Sequence, residues 1–472
     1  MQTDCREAQL VFQGVGGRVV IGQFDAGRIT SDAGVLLLRE VAERSGLLRD
    51  FAACFTDHRD PARIEHTVAE LLGQRVLAQA CGYEDLNDHD TLRDDALLAV
   101  AAGKADVTGA TRARDRDRGH ALAGKSTLNR LERTPADATA QSRYAKLVYD
   151  GAAIGQLFVT AFLRAHATPP AEIVLDLDTT DDPLHGHQEG RFFHGYYRAY
   201  CYLPLYLFCG DFLLVAQLQR ADADGAAGAR EAVERVVGQL RAAWPTVRIT
   251  LRADSGFCRD ALMTWCEAHG VDYVFGLARN ARLEREIAPE LAQAAAMHAT
   301  TGAPARVFKD FTYQTQDSWT RARRVIGKAE QLPGKTNPRF VVTSYAPARL
   351  AAAPLYEQLY CARGDMENRI KEQQLGLFAD RTSTATMRAN QLRLWIASLA
   401  YVLLHELRRV GLAGTVLARA QVGTIRTRLL KLGALVTVSV RRIVVAMSSV
   451  FPLQAVFRHA LHRVQHDYPR RC

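Results

Sequence analysis

The segment Glu172-Ile-Val-Leu-Asp-Leu-Asp178 constrains this chain more than any other. It is apolar enough to be a buried strand, yet it carries Asp176 and Asp178. Side chains two apart in a strand project from the same face of a sheet. Ionised carboxylates in an apolar strand are costly to bury unless a metal or another partner compensates them. The alternative is local: Asp also caps helices and forms turns. A fold built on this strand needs positive charge beside it, or chemistry at its end.

The texture on either side fits a mixed α/β fold. Thr168-Pro-Pro marks a boundary. After it, Glu172–Asp178 reads as a strand, and Cys201–Phe208 and Phe212–Leu218 as two more joined by the turn Cys209-Gly-Asp211. A helix over residues 226–243 follows. The strand Val247–Asp254, a helix over 257–269 and the strand Asp272–Leu277 complete the run. Three meandering strands, a helix, a strand, a helix and a strand is the order of ribonuclease-H-like cores.

Residues 1–165 read as mainly helical after a strand-like Arg18–Gly22. Ser31-Asp-Ala-Gly offers a helix start, and His66–Cys81 carries an apolar face. Residues 103–142 are polar and read as loop or exposed surface. Residues 166–278 form the first part of the core. Residues 279–345 read as a β-rich insertion, with a helical piece over Glu284–His298 and three strand-like stretches. Residues 346–412 return to the core with two long helices, Leu350–Leu377 and Arg388–Val410. Residues 413–472 form a helical, basic end carrying Arg426, Arg428, Lys431, Arg441 and Arg442.

Composition narrows the partners. Lys and Arg total 60 against 51 Asp and Glu, a formal charge of +9. That suits a phosphate-rich partner, because basic side chains displace condensed counterions from nucleic acid. The nine Cys are scattered, with no C-x-x-C pair. Disulfides and zinc ribbons are therefore not expected, and reduced thiols in a cytoplasm are. The start of the chain shows no basic stretch leading into an apolar core, so no signal peptide is expected. The most apolar stretch, Leu394–Leu404, lies between Arg393 and His405 and is too short to span a bilayer.

Two further carboxylates stand out. Asp254 ends a strand in Leu251-Arg-Ala-Asp-Ser-Gly256, beside a turn, where chemistry tends to sit in open α/β sheets. Glu367 lies in a helix where Tyr356, Tyr360, Arg363, Glu367, Lys371 and Gln374 recur at three- and four-residue spacing. They therefore share one face. A solvated face with ion pairs is the bland alternative for that stripe. Three carboxylates suit phosphodiester chemistry. Two divalent ions about 3.5–4 Å apart can stabilise charge on the attacking and leaving oxygens, and hard ions prefer carboxylate oxygen. Arg363 and Lys371 would then hold phosphates.

At these residues the chain resembles the DDE transposases of bacterial insertion sequences, in the subgroup with a Tyr-x2-Arg-x3-Glu signature, transposase DDE domain group 1. The resemblance rests on Leu175–Gly190, Arg252–Phe257 and Tyr360–Gly376, with Gly82–Asp88 in the N-terminal region. It assigns the catalytic, metal-holding carboxylates to Asp178, Asp254 and Glu367, and the signature Tyr and Arg to Tyr360 and Arg363. Related enzymes carry Lys seven positions after the Glu. Here that position is Gln374, with Lys371 one turn earlier. The resemblance implies a ribonuclease-H-like core with a β-rich insertion, Mg²⁺ or Mn²⁺ as a pair of ions, and cleavage and strand transfer at terminal inverted repeats. It further implies a homodimer on the paired ends, target DNA as second substrate, no membrane, and a cytoplasmic, nucleoid-associated location in a bacterium. The N-terminal helical region is then expected to bind DNA.

Three other signals compete. Gly119–Ser126 fits the phosphate-loop pattern G-x4-G-K-S, but Arg112–Arg118 before it cannot be a core strand. Lys125 and Arg130, with Asn129 and Arg133, fit DNA phosphates better, from a helix starting near Ser126. His185-Gly-His187, with Asp176 and Asp178, would suit a metal-dependent phosphodiesterase. His187 is otherwise expected to support the site. Phe192–Tyr197 suits base stacking or simple packing. A catalytically inactive DNA-binding remnant is the non-enzymatic alternative.

Overall fold

Ile173, Leu175 and Leu177 are all buried, and the strand they form, Glu172–Thr179, sits inside a nine-stranded mixed sheet. This computed structural model describes residues 9–468. Along the sheet the order is Phe212–Gln217, Leu205–Cys209, Glu172–Thr179, Arg248–Ala253, Asp272–Leu277, Arg339–Thr343, Arg323–Leu332, Ala305–Tyr313. The short strand Lys335–Thr336 pairs beside Arg323–Leu332. The three strands Glu172–Thr179, Arg248–Ala253 and Asp272–Leu277 run parallel, and their flanking neighbours are antiparallel. Parallel strands covered on both faces read as near-continuous apolar runs, as Tyr273, Val274 and Phe275 do.

Helices cover the sheet because their apolar residues recur at helical spacing. Val233, Val236, Val237 and Leu240 of Ala229–Ala243 are buried, as are Leu262, Met263, Trp265 and Cys266 of Asp260–Ala268. With Val159 and Phe162 of Gly151–Arg164 they join one core with the strands. The helix Met387–Glu406 is tied to the sheet's edge, Trp395 Nε1 donating to the Ala216 carbonyl at 2.8 Å.

Several expectations were changed by the structure. The stretch Cys201–Phe208 is two strands, not one. Pro204 separates Ala199–Tyr202 from Leu205–Cys209, and proline cannot donate to a ladder. Ala199–Tyr202 instead pairs with Asp182–Pro183 and Phe192–His194 in a small sheet. The three strands over 305–343 exist but continue the main sheet, since Arg339–Thr343 pairs directly with Asp272–Leu277. The helical stretch over 352–376 is not one regular α-helix. Leu355–Tyr360 and Glu372–Gly376 are π-helical, flanking the α-helix Gly364–Lys371. π-turns inside helices often accompany functional sites.

The chain forms two compact units. One is Tyr149–His405, and the other joins the described residues up to Val148 with those from Glu406 onward. In the second unit, Thr67 and Glu70 form a capping box that starts the helix Val68–Ala80. The polar stretch 103–142 includes the helix Lys125–Glu132. Inside, Arg75 and Glu132 are a buried ion pair at 3.0 Å. Two basic residues near the end of the chain are structural ties here. Lys431 pairs with Asp32 at 2.7 Å, and Arg426 Nε donates to the Ala80 carbonyl at 2.9 Å. Among the described residues, no helix is long and apolar enough to cross a membrane.

Candidate active site

Parallel register brings two of the three carboxylates together. Ala253 lies opposite Leu177, so the next residues, Asp254 and Asp178, end adjacent strands side by side. Strands in a ladder are about 4.8 Å apart. Asp178 is largely buried, and its Oδ1 accepts the Thr179 N–H at 2.9 Å. Asp254 Oδ1 accepts the Gly256 N–H at 2.8 Å and so caps the turn Ser255–Phe257. The local, turn-forming role expected of an aspartate is thus met at this residue.

Arg363 brings in the third. Its Nη1 donates to Asp178 Oδ2 at 2.8 Å and its Nη2 to Glu367 Oε1 at 2.9 Å. The spacing of four puts Arg363 and Glu367 one turn apart, so a single planar guanidinium spans both carboxylates. Burial pushes the Asp178 carboxyl up to about 6. Arg363 pulls it down, and Asp254 and Glu367 push it further up. The same carboxylates, with Tyr360, raise Arg363 against the opposing effect of its burial. Among the described residues, no three His, Cys, Asp or Glu side chains are gathered closely enough to grip one ion. Arg363 is the cation that joins Asp178 to Glu367.

Asp176 is not a second ligand beside Asp178. It is buried, and Arg252 lies opposite it in the register. Arg252 chelates both oxygens, with Nη2 to Oδ2 at 2.7 Å, and its Nη1 donates to the Leu359 carbonyl. The pair therefore pins the sheet to the π-helical turn just before Tyr360. A buried pair of this kind is costly to break one-sidedly.

Tyr360 packs over the same strand ends. A Cβ on Gly276 would lie 2.6 Å from the Tyr360 hydroxyl and 2.8 Å from the Ser255 nitrogen. Glycine in that buried strand makes room for the ring beside Asp254. An isolated Gly inside an apolar strand marks close approach, a signal that sequence reading passed over. Gln374 anchors the loop after Asp178, its Nε2 donating to the Asp181 carbonyl and to Asp182 Oδ1, each at 3.0 Å. Lys371, by contrast, is exposed, so it and Gln374 do not share surroundings. The π-turn between them changes the helix phase.

His185 and His187 are exposed and belong to no metal-binding cluster among the described residues. Their loop is held by the Glu189 N–H, which donates to the Ala385 carbonyl at 2.8 Å. Phe193, Tyr196 and Tyr200 are exposed in the small sheet beside it. The phosphate-loop pattern does not hang from a sheet, because among the described residues no strand lies between Phe55–Asp57 and Leu147–Tyr149. Lys125 pairs with Asp90 at 2.9 Å. Arg130 lines a cleft of about 960 Å³ with Arg59, Arg93, Arg112, Arg116 and Lys146. The exposed Tyr144 beside it lies under two guanidiniums, Arg130 at 5.3 Å and Arg143 at 4.9 Å.

A mixed sheet with Asp178 and Asp254 at neighbouring strand ends, and Glu367 reaching them through Arg363, belongs to a transposase of the DDE class. More particularly, the chain belongs to the family described as transposase DDE domain group 1, whose model matches residues 12–468. Among solved structures, the chain is similar to a piggyBac transposase synaptic complex with hairpin DNA, determined by cryo-EM. The TM-score is 0.38 at 13% identity, over 85% of this chain and 80% of that one. No curated protein matches the sequence.

Proposed function

We propose that this transposase binds the terminal inverted repeats of an insertion sequence, cleaves the DNA strand at their ends and joins the freed end to target DNA. The observation that carries the reading is the meeting of Asp178, Asp254 and Glu367 around Arg363, where two parallel strands of the mixed sheet end.

The three carboxylates suit divalent cations such as Mg²⁺ or Mn²⁺. Their oxygens are hard donors, and the Asp178 carboxyl is raised, by burial first and then by Asp254 and Glu367, even with Arg363 alongside. Asp178, Asp254 and Glu367 would hold the ions. Bound there, the cations would lower the pKa of an attacking water and offset charge on the leaving oxygen. The chain's own residues do the positioning. Arg363 has a planar fork matched to phosphate, so a scissile phosphate offers it a second partner in place of the two carboxylates. Giving up Asp178 and Glu367 would free both for ligation. Asp176 and Arg252 hold the backbone before Tyr360, and Gln374 holds the loop after Asp178. These ties keep the strand ends and the helix in register while the guanidinium moves. The basic cleft around Arg116 and Arg130 supports a place for the repeat's phosphates. Two chains would hold the two element ends.

Replacing Asp254 by Asn tests the reading, because the amide oxygen still caps Gly256 while the carboxylate is lost. Strand cleavage on a terminal-repeat duplex with Mg²⁺ should disappear while repeat binding and melting temperature stay unchanged. Cleavage that survives the change, or that survives chelation, overturns the proposed chemistry. A wild-type chain that binds repeats and never cuts identifies an inactive remnant.

A further inference from the structure

The aromatic residues of the hairpin Phe192–His194 and Ala199–Tyr202 are sorted onto two faces, because side chains alternate along a strand. Phe192 lies opposite Cys201, and Phe192 and Tyr197 pack against a small core of Cys201, Leu203 and Ala221. Phe193 lies opposite Tyr200 on the other face, where they are 58% and 47% exposed. Their rings meet edge to face at 5.6 Å. At the hairpin's tip Tyr196 is 84% exposed, its ring edge-on to Tyr197 at 5.0 Å. Packing explains Phe192 and Tyr197. It does not explain Phe193, Tyr196 and Tyr200, and clustered apolar surface left in water marks an interaction site.

This hairpin is rooted in the candidate active site. Asp182, four residues after Asp178, lies opposite Tyr202. Beyond Tyr202 the chain passes directly into Leu205 and Tyr206, which lie opposite Thr179 and Asp178. Gln374, on the helical stretch that carries Glu367, donates to Asp182 at 3.0 Å. Burial first, then the charges of Asp181 and Asp178, push the Tyr197 hydroxyl up to about 12, so the tip lies within electrostatic reach of Asp178. The tip is also held in a costly shape. Arg198 has a φ of 54°, and its N–H donates to the His194 carbonyl at 2.8 Å. A bulky residue in the left-handed region is an outlier, and such strain clusters at functional sites.

Charge and ring chemistry together select the occupant. From Gly190 to Gly210 the chain carries Arg191 and Arg198 and no Asp or Glu. The Arg191 guanidinium lies over the Tyr200 ring at 4.8 Å. A nucleotide offers an anion to the guanidiniums and a flat π-face to the rings, and base–aromatic stacking tolerates any base. Inside an intact duplex both faces of a base are covered by its neighbours, so only an unpaired base presents one. We propose that Phe193, Tyr196 and Tyr200 form a stacking platform for an unpaired nucleobase beside the scissile phosphate, with Arg191 and Arg198 holding the adjoining phosphates. This assignment deepens the strand-cleavage reading and rests on it, since the scissile phosphate at Asp178 is what brings a base to the hairpin.

Iododeoxyuridine, which couples to a stacked aromatic ring on irradiation, can be placed in turn at each base flanking the end of the terminal repeat, with the full chain bound in chelator. Peptide mapping should find the cross-link on Phe193, Tyr196 or Tyr200. With Mg²⁺ and a fully paired duplex, Tyr196→Ala should slow strand cleavage roughly ten- to a hundredfold, the worth of one stacked base. Tyr196→Phe should cleave like the wild type, and both variants should keep its melting temperature. A mismatch at the cross-linked position should return Tyr196→Ala close to the wild-type rate, because the base is then already unpaired. A loss of the same size on paired and mismatched duplex would overturn the platform, as would cross-links that map only to other residues. Cross-linking in chelator needs no cutting. A chain that cross-links at the hairpin and never cleaves therefore keeps the platform and loses the proposed chemistry, whereas one that cleaves with neither cross-link nor mismatch rescue loses the platform alone.

Discussion

Arg363 places Nη1 2.8 Å from Asp178 Oδ2, linking a helix to the end of a strand 185 residues earlier. Its other nitrogen holds Glu367. Lysine could keep the charge but not the fork. Arg363→Lys should therefore lower single-turnover strand cleavage by about ten- to a hundredfold, the worth of one or two charge-assisted hydrogen bonds, and leave the fold intact. Arg363→Ala should be less active still and melt lower, because it leaves Asp178 buried without its counter-charge. Full activity in Arg363→Lys would show that the bridging geometry has no catalytic consequence.

Gly276 and Tyr360 should be coupled. Gly276→Ala puts a carbon 2.6 Å from the Tyr360 hydroxyl and 2.8 Å from the Ser255 nitrogen. Overpacking of this sort costs about 1–3 kcal/mol, and here it pushes on the turn that carries Asp254. Tyr360→Phe removes one of the two collisions. In a double-mutant cycle it should recover part of the stability lost in Gly276→Ala, and the residual loss should come from Ser255. Strictly additive melting shifts would mean that the hydroxyl does not occupy the niche.

How much of this was legible in sequence depends on the range of the forces involved. The strands around Asp178 and Asp254 follow from local apolar patterning, and so does the spacing of Arg363 and Glu367. The pairing of Asp176 with Arg252 could not be read, because it depends on parallel register between strands 76 residues apart. Two carboxylates on one face suggested a shared site. Instead one is neutralised by a neighbouring strand and the other by the helix. The phase of Lys371 and Gln374 was misjudged for a related reason. A 3.6-residue period was assumed where Glu372–Gly376 is π-helical. The basic segment over 413–472 could be read only as charge, yet Lys431 and Arg426 are used in tying down Asp32 and Ala80. Composition records charge, and only tertiary contacts decide whether it is available.

Asp182 should give stability a pH dependence of its own. It is fully buried, its Oδ1 accepts from Gln374, and burial pushes its carboxyl up to about 8. In the unfolded chain an aspartate titrates near ~3.9. Between those values the folded protein keeps a proton that the unfolded chain has released. Stability from this group is therefore fully present below ~3.9 and is lost as pH rises through about 8. Asp182→Asn imitates the protonated side chain and cannot titrate. Its melting temperature should fall less than that of the wild type between pH 5 and pH 9, with the curves meeting only as pH falls to ~3.9. Parallel curves would mean that Asp182 is ionised throughout.

The cleft around Arg116 and Arg130 can be separated from the chemistry by salt. Each Arg or Lys that neutralises a DNA phosphate releases counterions, so the slope of log affinity against log salt counts such contacts. Arg116 is well exposed, whereas Lys125 is engaged with Asp90. Arg116→Ala and Arg130→Ala should each weaken terminal-repeat binding and reduce the magnitude of the salt slope by about 1. Random duplex should be weakened to a similar degree, since phosphate contacts carry no sequence information. Lys125→Ala should change the slope less, because its charge is already met by a carboxylate. Fluorescence anisotropy across a salt series distinguishes these outcomes. If Arg116→Ala and Arg130→Ala leave the slope untouched while Lys125→Ala reduces it, the DNA path runs along the other side of the helix Lys125–Glu132, and the cleft serves something else.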